Sequence, residues 1–268
     1  MRSEGRYLWG KEGRKVLMLH CSLAHGGAWA GMARALPVQA LAVDLPGHGQ
    51  GPEWDEGQSF QLQARRLAEA AAEDFGAPLD VLGHSFGATV ALRLAVDRPD
   101  LVRSLALYEP VFFTPAFRAF PGLEAHHNAQ LAPYQQAWEA GDREGAARAF
   151  MAVWGDGRPW EALPEAQRRS FAERVHLINA IRDTNYGDPV GMLSEKRLAG
   201  LSCPVLLMDG SESPIYVSRI NAALQAEMPW ARRSVIEGTG HMGPLSHPGA
   251  VAREVQNFWA ECESPVSG

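Results

Sequence analysis

Residues 78–96 read PLDVLGHSFGATVALRLAV, and the change of pattern inside this stretch decides the fold. PLDVL, residues 78–82, is strand-like, and the strand ends at Gly83. From Ala88 onward the residues are good helix formers at helical spacing, and the run stops near Pro99. At the junction stands Gly83-His84-Ser85-Phe86-Gly87, which matches G-x-S-x-G. A strand that turns sharply into a helix holds the junction residue in strained backbone geometry. Glycines two positions to either side let strand and helix approach closely. The serine hydroxyl then stands clear of the sheet's C-terminal edge, and the N–H of Phe86 is free to face a developing negative charge. A five-residue pattern is short enough to arise by chance, so its flanks carry the weight. The plainer alternative is an ordinary turn with an N-capping serine.

The same alternation extends outward. KVLMLHC (15–21) and QALAV (39–43) read as buried strands, each feeding a Gly-rich loop, with a short helical stretch from Trp29 to Leu36 between them. Residues 58–74 have helical composition, and LVRSLALYEP (101–110) is a further strand. After Pro110 the rhythm breaks. Residues 111–190 read as helical, with Phe150, Trp154, Trp160 and Phe171 interspersed. It resumes with CPVLLMDG (203–210), a helix near 215–227, a strand in ARRSVIEG (231–238) and a helix near 249–260. Strands alternating with helices predict an α/β fold, a mostly parallel sheet with helices on both faces and right-handed crossovers. The expected division is a core of residues 1–110 and 191–268, with 111–190 inserted as a helical cap. No internal repeat is evident.

The bulk composition bounds the partners. The 268 residues are 46% hydrophobic and 21% charged with a net charge of −6, as in a soluble globular protein. No basic run or stripe suggests a nucleic-acid surface. Cys21, Cys203 and Cys262 are odd in number and not at metal-ligand spacing, which fits a reducing compartment. MRSEGRYLWGKEG at the start lacks the apolar run of a signal peptide, and no stretch reaches the roughly 18 apolar residues of a membrane span. A cytoplasmic protein without membrane or nucleic-acid partners is expected. Oligomeric state stays open, a homo-oligomer included.

A serine hydroxyl is a poor nucleophile until a base takes its proton, and the base needs a carboxylate to orient it. In the G-x-S-x-G turns that this junction resembles, the triad follows in the chain order Ser, acid, His. VIEGTGHMGPLSHP (235–248) supplies His241, in a glycine-flanked loop just past a strand. His247, beside Pro248, reads as the start of the last helix. His20 and His84 lie at strand ends and read as loop supports, as does His48 in PGHG. His126 and His127 lack a metal-binding pattern. The acid has three candidates. Glu212 follows the CPVLLM strand and is favoured, because the acid usually follows the later strand. Glu109 ends LALYEP, at the edge of the strand next to the nucleophile's. Asp209 closes its own strand and reads as turn-forming. An oxyanion needs two N–H donors. Phe86 is one, and Ser22, in the loop after KVLMLH, is preferred to Leu23 as the other.

These motifs together resemble the α/β-hydrolase superfamily along nearly the whole chain. VLMLHCS is similar to that family's strand and oxyanion loop, LAVDLPGHGQG to its strand-four loop, GHSFG to its nucleophile turn and GTGHMGPLSHP to its histidine loop. The resemblance implies a largely parallel eight-stranded sheet with a helical cap, and a triad of Ser85, Glu212 and His241. It departs in two places. The family usually has glycine where Cys21 stands, and its acid commonly lies one position later than Glu212 and is Asp; some relatives place the acid after the sixth strand, as Glu109 would be. The implied activity is hydrolysis of a small ester, lactone or thioester through an acyl-enzyme, with no metal or organic cofactor. Carbon–carbon bond hydrolysis and cofactor-free perhydrolysis share the triad, and a non-catalytic small-ligand receptor shares the fold. The substrate is expected to be a small molecule held in a mostly apolar pocket, with Leu23, Trp154 and Met242 as contributors.

Overall fold

A computed structural model of the chain describes residues 2–3 and 5–263. Eight strands form one sheet: β1 (Arg2–Ser3), β2 (Arg6–Trp9), β3 (Arg14–Leu19), β4 (Val38–Val43), β5 (Leu79–His84), β6 (Val102–Tyr108), β7 (Val205–Gly210) and β8 (Arg232–Ile236), in the order β1-β2-β4-β3-β5-β6-β7-β8. From β4 across to β8 every neighbouring pair is parallel, while β2 runs antiparallel to β4 and β1 to β2. The antiparallel edge is absent from the sequence reading above. Its strands are two and four residues long, too short for alternation to register.

The helices, in chain order, are α1 (Ala30–Ala35), α2 (Phe60–Phe75), α3 (Phe86–Asp97), α4 (Thr114–Ala119), α5 (Leu123–Glu139), α6 (Arg143–Trp154), α7 (Glu165–Arg174), α8 (Leu177–Ala180), α9 (Arg182–Tyr186), α10 (Ile215–Glu227), α11 (Gly243–Ser246) and α12 (Pro248–Glu263). Successive strand residues point to opposite faces, so two cores form. Val16, Met18, Ala40, Ala42, Ala106 and Met208 face α1 and α12, where Met32, Val255 and Trp259 close the layer. Leu17, Leu19, Leu41, Val43, Leu107 and Leu207 face α2, α3 and α10. α2 presents Ala64, Ala68 and Ala71 to the sheet, small residues that admit close approach. α3 is apolar nearly all round and lies buried along almost its whole length, as a helix hydrophobic on every side must be.

Six helices, α4 to α9, lie between β6 and β7. Several of them build a separate cluster, with Tyr134, Trp160, Phe171, Val175 and Ile178 packed around Leu23 from the loop after β3. That loop thereby seats the helices over the C-terminal edge of the sheet. The returning segment is fastened to α3 by Arg197, whose guanidinium is 2.6 Å from the Asp97 carboxylate. No helix among the described residues is long and apolar enough to cross a membrane.

Candidate active site

β5 and β6 run in register, His84 opposite Tyr108, and β6 and β7 likewise, Tyr108 opposite Met208. Ser85 and Glu109 are therefore the next residues of neighbouring strands, at one level. Each keeps one more ladder bond: Ser85 N–H donates to Tyr108 O and Glu109 N–H to Met208 O, both at 2.9 Å. Each then turns sharply, Ser85 at φ 55° and Glu109 at φ 51°. Residues other than glycine adopt that region at a cost of about 1–3 kcal/mol, and strain of this kind gathers at functional sites.

The two motif glycines are required by space. A Cβ on Gly87 would stand 2.2 Å from Leu19 O, and one on Gly83 would stand 2.5 Å from Ala88 Cα. α3 crosses the ends of β3 and β5 closely enough that only hydrogen fits there, and Ser85 is left at the mouth of the turn.

His241 lies beside Ser85, with Nε2 3.0 Å from Ser85 Oγ. Its Nδ1 is 2.6 Å from Glu109 Oε2. With Nδ1–H donating to the carboxylate, Nε2 is left as the acceptor for the serine proton. The carboxylate of Glu109 is fully buried, and its second oxygen accepts from Gly210 N–H at 2.9 Å and from Ser213 Oγ–H at 2.5 Å. Burial of a carboxylate is tolerated only with such partners. The favoured acid, Glu212, is not at the site. It is exposed, and its N–H donates to Thr239 O. The loop after β7 supplies the clamp on the acid, through Gly210 and Ser213, and not the acid itself. Asp209 accepts from Asn221 Nδ2 at 2.8 Å, and burial raises its pKa; it secures α10.

Three of the other histidines support loops. His84 is buried and burial holds its pKa well below the ordinary value, so it is neutral. Its Nε2–H donates to His241 O at 2.7 Å and fixes the backbone of the histidine loop. His48 Nδ1–H donates to Pro46 O, and its Nε2 accepts the N–H of Leu23 at 3.1 Å. That bond engages Leu23 elsewhere and leaves Ser22 as the candidate second oxyanion donor beside Phe86. His20 donates to Cys21 O and accepts from Leu45 N–H. Asp44 accepts from Gly26 N–H at 2.6 Å. The loops after β3 and β4 are thus tied to each other. His247 is exposed, at the end of α11 just before α12.

Ser85, Ser22 and His241 line a cavity of about 340 Å³ under the helices, together with Leu23, Trp154 and Met242. The sequence reading missed Phe150, Met151 and Phe171 in the same wall. Nothing local in the sequence separates Phe150 and Phe171 from the aromatics at the centre of the helical cluster. Trp154 stands edge-on to His241, ring centres 4.6 Å apart. Cys21 also lines the cavity, but burial pushes its thiol up to about 12, so it is no thiolate nucleophile. Among the described residues no group of metal-ligating side chains is assembled.

Known proteins share this architecture. A pimeloyl-[acyl-carrier protein] methyl ester esterase of Neisseria meningitidis is 29% identical over 256 residues, 91% of this chain and 93% of that protein. An esterase of Mycobacterium tuberculosis is 29% identical over 262 residues, 92% of this chain and 83% of its own. The structure of an alpha/beta hydrolase enzyme from a Medee basin deep-sea metagenome library superposes with a TM-score of 0.76 at 16% identity, covering 98% of this chain and 96% of that one. A family model described as the alpha/beta hydrolase family matches residues 16–254. From the first strand of the parallel sheet to the last helix, the chain belongs to the alpha/beta hydrolase family.

Proposed function

We propose that the protein is a serine hydrolase that cleaves a small carboxylic ester through an acyl-enzyme. The observation that carries this reading is the unbroken run of hydrogen bonds from Ser85 through His241 to the buried Glu109, opening into a largely apolar cavity. Ser85 Oγ attacks the ester carbonyl as His241 Nε2 takes its proton. Glu109 holds the ring in the reactive tautomer and stabilises the imidazolium that forms. The N–H groups of Ser22 and Phe86 receive the oxyanion. His241 then returns the proton to the departing alcohol, and a water molecule, activated by the same nitrogen, releases the acid and frees Ser85. The relatives named as ester-cleaving enzymes support an ester over the thioester, lactone and carbon–carbon substrates that the same triad serves.

The test is hydrolysis of a p-nitrophenyl ester series by the wild type and by Ser85→Ala. The expected result is turnover that falls by at least about a thousandfold in the variant with unchanged circular dichroism. Turnover retained in Ser85→Ala would refute the assignment.

A further inference from the structure

Ser85 opens onto two spaces, not one. Besides the 340 Å³ cavity it lines a chamber of about 40 Å³. Ser22, Phe150 and Trp154 are common to both and form the partition between them. His241 lines the larger cavity and not the chamber. That asymmetry orients an ester. The alcohol must leave where His241 Nε2 can hand it a proton, so it occupies the larger cavity and the acyl group faces the chamber. At roughly 10–15 Å³ for each water-sized position, the chamber takes a short acyl chain.

Its walls are mostly apolar. Val111, Phe113, Ile178 and Ile181 are among them, and Arg182 is the one charged side chain among the described residues that line it. Arg182 reaches Gln135 Oε1 at 3.4 Å and lies over the ring of Tyr186, but it makes no ion pair among the described residues. It also borders an outer groove that shares Leu131, Tyr134 and Tyr186 with the chamber. Beside it is Asn185, 4% exposed, whose side-chain oxygen is buried with no partner. A buried acceptor without a partner is costly and calls for a donor. The exposed Arg182 guanidinium, without a carboxylate and bordering both the apolar chamber and the outer groove, is complementary to an anionic group.

We propose that the chamber binds the acyl half of the substrate and that Arg182 selects a short acyl chain ending in a carboxylate, that is, a hemi-ester of a short dicarboxylic acid. This rests on the ester-hydrolase reading above and adds the substrate class to it. Arg182 acts here as a specificity residue and touches neither the ester carbonyl nor His241.

The experiment compares benzyl hydrogen succinate with benzyl 4-methylpentanoate, its uncharged isostere, by release of benzyl alcohol. The wild type should favour the hemi-ester in kcat/KM by at least about tenfold. Arg182→Leu should lose roughly thirtyfold on the hemi-ester, mainly in KM, with the isostere changed less than about twofold, and Arg182→Lys should recover part of the loss. A merely structural role would lower both esters together. Hydrolysis of both esters without discrimination, or equal losses in Arg182→Leu, would overturn this inference and leave the hydrolase reading standing. Absence of Ser85-dependent hydrolysis of either ester would remove both.

Discussion

Glu109 Oε2 lies 2.6 Å from His241 Nδ1 across 132 residues of sequence, and the same carboxylate is held from behind by Gly210 and Ser213. The carboxylate beside His241 thus comes from the end of β6, and the end of β7 clamps it. Glu109→Gln keeps the shape but gives His241 an amide that can present its N–H₂ to Nδ1 and stabilise the wrong tautomer. By the measured behaviour of such carboxylates in serine triads, kcat should fall by about 10³–10⁴. Glu212→Gln should stay within about twofold. Steady-state kinetics of the two variants on one ester decides between them, and the reverse ranking would place the acid at position 212.

The residues that were and were not legible follow from this geometry. Ser85 and His241 sit in local patterns, a strand–glycine–serine–helix junction and a glycine-flanked loop, that one short window contains. The acid depends on which of two neighbouring strands turns its carboxylate inward, and both end at the same edge. A signal was present nevertheless. Glu109 stands between the apolar runs LALY and VFF, broken only by Pro110, where an acid must be buried and therefore partnered. Glu212 stands in SES, among polar neighbours that suit solvent. The parallel sheet was readable because five of its six strands, β3 to β7, are six or seven residues long and carry short apolar runs. The two-residue and four-residue edge strands were not, since pairing and not composition creates them. Leu23, Trp154 and Met242 do line the cavity, but how the helices close over Ser85 is a matter of packing that no window of sequence carries.

The close crossing of α3 over β3 makes Gly87 a stability position as well as a motif residue. Gly87→Ala places a methyl 2.2 Å from the Leu19 carbonyl, which the backbone must move to admit. A loss of about 2–3 kcal/mol in urea unfolding is expected, typical of overpacking. An unchanged unfolding midpoint would mean that α3 sits farther from β3 than described.

Buried neutral histidines make the fold sensitive to mild acid. Burial lowers the pKa of His20 to about 4 and of His48 to about 3, from 6.5. Below pH 6.5 the unfolded chain takes up protons that the folded chain refuses until its own lower pKa is reached. Stability therefore falls as pH drops through 6.5 toward 4, by up to about 1.4 kcal/mol per pH unit for each histidine. Urea midpoints at pH 7.5 and 5.0 should show the loss, and His48→Gln, which can still accept from Leu23 N–H, should make it shallower. A midpoint that is flat over this range would contradict the neutral state of these rings.

Trp154 separates the two spaces at Ser85 and packs on His241. Trp154→Ala should join them. The ratio of kcat/KM for p-nitrophenyl octanoate to that for the acetate is expected to rise at least about tenfold, as removal of a pocket wall admits the longer chain. An unchanged ratio would show that chain length is limited elsewhere.

Whether Ser85 is the residue that bonds to the acyl group is read directly by intact-protein mass spectrometry after treatment with a fluorophosphonate. The expected result is a single adduct, mapped by peptide sequencing to Ser85, absent in Ser85→Ala and formed far more slowly in Glu109→Gln than in Glu212→Gln. An adduct elsewhere, or labelling undiminished in Ser85→Ala, would contradict that role.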